Sequence, residues 1–124
     1  MPWKISYLES QKIIRTEYTD PFMPEDFLKV IAENILIAKE KQTNLFLADC
    51  TDLTRSGNVI DIYQLGNMLQ AMNAEIHIKE AIVVMKQKGN VVSDLQFFET
   101  VANNRLINVR LFFDLETALA WLVG

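Results

Sequence analysis

Residues 45–49 read Leu45-Phe46-Leu47-Ala48-Asp49, and a stretch rich in threonine, aspartate, serine and glycine follows from Thr51 to Asn58. Four apolar residues in a row, with no polar alternation, suit a strand buried on both faces, as in a parallel sheet flanked by helices. The neighbouring segments must then supply those helices. Before the strand, Pro24-Glu25-Asp26 places a proline near a first helical position and two acids near the positive end of the dipole. Phe27, Val30, Ile31 and Ile35 repeat at helical spacing, with Ile37 and Ala38 widening the stripe, and predict a helix to about Lys41. After the strand, Ile62, Leu65, Leu69 and Met72 predict a second helix over roughly Val59 to Met72. Gly66 inside it costs roughly 1 kcal/mol relative to alanine, so it weakens the helix or marks a close packing contact.

Outward from this centre the same alternation continues. Trp3, Ile5 and Tyr7 share one face of a half-buried strand, Glu9-Ser10-Gln11 forms a polar turn, and Ile13 to Tyr18 returns as the second arm of a hairpin. Asp20-Pro21 ends that arm, because proline supplies no ladder donor. Toward the C-terminus the spacing predicts a strand over Ile78 to Met85 and a loop over Lys86 to Asn90. A helix from near Val92 to Asn104 and a strand from Asn108 to Phe113 come next. Asp114 reads as the N-cap of a final helix whose buried side is Leu115, Ala118, Leu119 and Leu122. The expectation is one α/β domain over residues 1–124: a mixed, mostly parallel sheet of about five strands, an N-terminal hairpin then repeated βα units, with about four helices packed on it. Strand order is not readable.

Composition narrows the function. Half of the 124 residues are apolar and 23% are charged, as in an ordinary globular chain. Twelve basic against sixteen acidic residues leave a net charge of −4, which argues against a nucleic-acid partner held through its phosphates. A single cysteine, Cys50, allows no internal disulfide and no cysteine-based zinc cage. Apolar runs such as Ala81 to Met85 are far shorter than the ~20 residues of a membrane span, and the first residues lack a secretory apolar core. A cytoplasmic location is expected, and neither a cofactor nor a metal is implied.

Three segments together carry a family resemblance. They are Leu47-Ala48-Asp49 followed by Leu53-Thr54-Arg55-Ser56-Gly57, the helix Phe97 to Arg105, and the terminal Asp114 to Leu122 with its Ala-Trp-Leu. In this order and spacing the chain resembles the SpoIIAA-like proteins, relatives of the STAS domain of anti-sigma-factor antagonists. The resemblance implies a non-enzymatic module acting through protein contacts, with some relatives linked to nucleotide or lipid binding. It also implies that the serine before glycine, here Ser56-Gly57, is a phosphorylation site, although Thr54-Arg55 stand where those proteins carry Asp-Ser.

The residues themselves offer modest chemistry. Ser56 at a helix start sits in positive potential among unpaired amides, so it suits a phosphate on its own hydroxyl or on a ligand, with Arg55 and Gly57 beside it. A plain serine N-cap explains the residue type as well. Asp49, Thr51, Asp52, Thr54 and Asn58 surround the same loop, which with the start of the second helix is a candidate recognition edge. A hydrolase would use Asp49 as nucleophile or ligand, yet short polar side chains in turns commonly bond their own backbone. Cys50 is a possible thiol nucleophile, but a lone cysteine more often packs as a small apolar residue, and a Cys50–His77 dyad needs the two side by side. Phe97 and Phe98 are adjacent, so either one joins an exposed patch for a dimer or partner, or the buried face is broad. Met68, Met72 and Met85 suit a flexible pocket for a lipid tail or gap-filling in the core. Lys86 to Asn90 lacks the spacing of a phosphate loop and reads as a solvated turn. The readings are a binding module for a protein partner or its own copy, a carrier or sensor of a small apolar ligand or nucleotide, and a hydrolase. No catalytic motif supports the last.

Overall fold

The computed structural model describes residues 2–20, 23, 25–54 and 59–124. β1 (Trp3–Leu8) and β2 (Ile13–Thr19) pair antiparallel, with Trp3 opposite Tyr18 and Leu8 opposite Ile13. β3 (Leu45–Asp52), β4 (Lys79–Val83) and β5 (Asn108–Phe112) then add in turn, each parallel to the strand before it, so the sheet order is β1-β2-β3-β4-β5. α1 (Asp26–Lys41), α2 (Val59–Ile76) and α3 (Gly89–Asn104) connect the parallel strands, and α4 (Leu115–Val123) follows β5. The architecture is therefore α/β, with a mixed five-stranded sheet and four helices among the described residues.

A sheet whose parallel strands follow in chain order, joined by crossovers of one hand, receives all its crossover helices on one face. The packing has that form. Ile14, Phe46, Ala48, Ile82 and Val109 of the sheet join residues of α1, α2 and α3 in the larger core. The alternate positions Ile13, Leu47, Ala81, Val83 and Phe112 point the other way, onto Ala118 and Leu122 of α4. β3 has residues in both cores, which explains its unbroken apolar run.

Several boundaries differ from the sequence reading. β3 continues through Thr51 to Asp52, so Thr51 and Asp52, expected to open the loop, are strand residues like Asp49. Pairing of Thr19 with Asp52 across β2 holds the chain extended there, despite its turn-like composition. α2 continues one turn beyond Met72 to Ile76, because Ile76 still packs on the core. Asn73 then closes the helix: its carbonyl accepts from the His77 amide at 3.0 Å and its side chain from the Ile78 amide at 2.7 Å. α3 begins at Gly89, inside the segment expected to be a loop. Turn-forming Gly89 and Asn90 cost little in a first turn, whose amides have no intrahelical partner. The strand expected over Ile78 to Met85 is confined to Lys79–Val83, the length over which β5 pairs with it. Asp114 is the expected cap, its side chain accepting from the Thr117 amide at 2.7 Å.

Candidate functional site

The larger core is not filled. A cavity of about 120 Å³ lies between the sheet and the helices α1, α2 and α3. The central strand explains the space. On the helix-covered face β3 presents Phe46, then Ala48 and Cys50, two small side chains in succession at the middle of the sheet. Val30, Leu69 and Phe98 reach the cavity from the three helices, and no side chain of the described residues fills the space that Ala48 and Cys50 leave open. Of the three methionines proposed for a pocket, Met72 lines it, whereas Met68 and Met85 do not.

Four polar positions interrupt the apolar lining. Thr16 and Asn34 satisfy one another: the Asn34 amide donates to the Thr16 hydroxyl at 3.3 Å and to the Val30 carbonyl at 2.9 Å. The Thr16 hydroxyl in turn hydrogen-bonds the Tyr18 phenol. Glu80 is different. It sits on β4 in register with Phe46, on the same face as Ile78 and Ile82, and lines the cavity. Its carboxyl forms no hydrogen bond or ion pair with any described residue. Burial raises its pKa from 4.5 to about 7. Burial, reinforced by the Glu80 charge, also pushes the Tyr18 phenol and the Cys50 thiol up.

The sequence reading did not single out Glu80, although a signal was present. Ile78, Glu80, Ile82 and Val84 occupy alternate positions, so an acid interrupts an otherwise apolar core face. A charged residue in such a position is the informative exception to burial of apolar groups.

The expected site residues separate. Arg55, Ser56, Gly57 and Asn58 lie outside the described residues. Asp49 faces the α4 side of the sheet and is fully engaged. One oxygen accepts from the Thr51 amide and hydroxyl at 3.1 and 2.7 Å, and the other from Arg15 at 2.7 Å. Burial pushes this carboxyl up, but the Thr51 and Arg15 contacts outweigh it and the net shift is downward. Thr54 donates from its amide and its hydroxyl to Asp20, tying the ends of β2 and β3 together. Asp52 and Thr54 are exposed at that rim, while Leu53 between them turns in and lines the cavity.

Cys50 and Asp49 are adjacent strand residues and point to opposite faces, so they do not converge on one substrate. His77 stands exposed before β4, level with the start of β3, whereas Cys50 lies five residues further along, roughly 17 Å at strand rise. The dyad does not form. Phe98 is buried, and Phe97 packs edge-on against Tyr63 with ring centroids 5.6 Å apart, so the pair widens the inner face of α3 instead of forming an exposed patch. Lys88, from the expected solvated turn, donates to the Thr51 carbonyl at 2.7 Å and braces the end of β3.

Among the described residues no group of three histidine, cysteine, aspartate or glutamate side chains is placed to hold a metal ion. No helix among them is long and apolar enough to cross a membrane. Comparison with protein-family models, with curated proteins and with solved structures finds no match to this chain.

Proposed function

We propose that this chain is a non-enzymatic binding module that carries or senses a small, mostly apolar molecule held between the sheet and the helices. The observation that carries the reading is the cavity of about 120 Å³ in the core. Apolar interiors are ordinarily close-packed, and an apolar cavity of roughly 150 Å³ is known to take up benzene. The position fits a ligand role as well, since Tyr18, Leu53 and Ile62 bring its lining to the C-terminal side of β2 and β3, where open α/β sheets gather ligands. Toluene is a suitable probe. Titration followed by amide chemical shifts should perturb Ala48, Leu69, Ile82 and Phe98 together, and Ala48→Leu, which fills the space, should abolish the response. A titration that leaves those four amides unmoved in the wild-type chain rejects the reading.

A second reading is supported by Asp52 and Thr54, exposed at the rim of β3 within the loop region expected to be a recognition edge. In it the module works through protein contacts, with itself or another protein, and Ser56 is a phosphorylation switch. Mass spectrometry of the native chain tests it: phosphate on Ser56 supports the switch, and an unmodified peptide in every growth condition removes it.

A further inference from the structure

The same cavity contains a chemical preference. Its walls are apolar, its Thr16–Asn34–Tyr18 group is internally bonded, and one carboxyl remains with no partner among the described residues. An ionised carboxylate that faces an apolar cavity without a counter-charge is costly, and the group that relieves it is a cation bearing N–H donors. Among the described residues none supplies one. The groups facing Glu80 from β2 and β3 are Tyr18 and Cys50, both kept neutral by burial. The lining residues of α1, α2 and α3 are apolar apart from Asn34, and Asp49 faces the other side of the sheet. A ligand can supply it. We infer that Glu80 anchors a protonated amine, so that the cavity's ligand is a small apolar cation of about one ring's size. This rests on the cavity being a binding site; Glu80 then decides which apolar molecules are held.

The size limit follows from the volume. About 120 Å³ is comparable to the space that accepts benzene, so a single ring or a short alkyl chain fits, whereas a nucleotide or a long acyl chain does not. Because Glu80 is half-protonated near pH 7, the amine should bind more weakly below that pH, most tightly where Glu80 is ionised and the amine still protonated, and more weakly again once the amine loses its own proton.

Benzylamine, benzyl alcohol and toluene share one ring and differ in the group offered to Glu80, so calorimetric titration of all three at pH 8 isolates the anchor. Benzylamine should bind about ten- to hundredfold more tightly than toluene, as a charge-assisted hydrogen bond allows. Glu80→Gln should remove that advantage and leave toluene affinity unchanged, and lowering the pH to 5 should remove it in the wild-type chain. Benzylamine binding no better than benzyl alcohol or toluene overturns the anchor while leaving the cavity reading intact. Failure of all three ligands overturns both. The comparison in the wild-type chain decides the matter even if the substituted chain does not fold.

Discussion

Glu80 and Asp49 are both carboxylates on the sheet, yet the sheet treats them oppositely. Glu80 points into an apolar space and its pKa rises to about 7; Asp49 points to the other face, where Thr51 and Arg15 lower its pKa. Each has a consequence for stability. The folded chain holds the Glu80 proton more tightly than the unfolded chain does, so this group's contribution is greatest below about pH 4.5 and is lost as pH rises to about 7. The shift corresponds to about 3 kcal/mol. Asp49 works in reverse, stabilising above the ordinary carboxylate range and losing its contribution as pH falls through its lowered value. Glu80→Gln should therefore be more stable than wild type at pH 8 and close to it at pH 4.5. Urea denaturation at the two pH values checks this, and an equal effect at both would show that Glu80 does not titrate between them.

At the scale of elements, the contact between α2 and α3 decides the role of Gly66. A Cβ placed there would lie 2.9 Å from a methyl of Val101 on α3. Valine in a helix has one strongly preferred rotamer, so that methyl does not move aside cheaply. Alanine would gain about 1 kcal/mol of helix propensity but lose more to overpacking, commonly 1–3 kcal/mol. Gly66→Ala should thus lower the thermal midpoint; an unchanged or higher one would mean that the helices separate without cost. The sequence reading held both possibilities for this glycine, and only the neighbouring helix chooses between them. The ends of the elements show the same dependence. Asp114 was legible as a cap because its partner, Thr117, is three residues away. The end of β3 was not legible, because Thr19 of β2, pairing with Asp52, holds it extended.

For the whole molecule, the consequence of topology is that the two faces are unequally covered. Three helices cover one face, whereas among the described residues α4 is the helix packed on the other, and its Leu122 is 1% exposed. Leu122→Ala should cost about 2–5 kcal/mol, measured as a shift of the urea midpoint, because among the described residues no second helix closes over the gap. A loss below 1 kcal/mol would show that α4 contributes little to the fold. Unequal coverage also gives β3 its composition. Leu47 meets α4, while Phe46, Ala48 and Cys50 meet the larger core. Apolar periodicity is a local quantity, written into the chain by the faces each element buries, and so the hairpin, the βα alternation and the final capped helix could be read from the sequence alone. Strand order, the empty volume above Ala48 and Cys50, and the placing of Glu80 beside Phe46 on the same cavity wall depend on distances between residues far apart in the chain. Only packing sets those distances, so the sequence determined which elements form, and the tertiary structure decided where they leave space and which charge lies beside it.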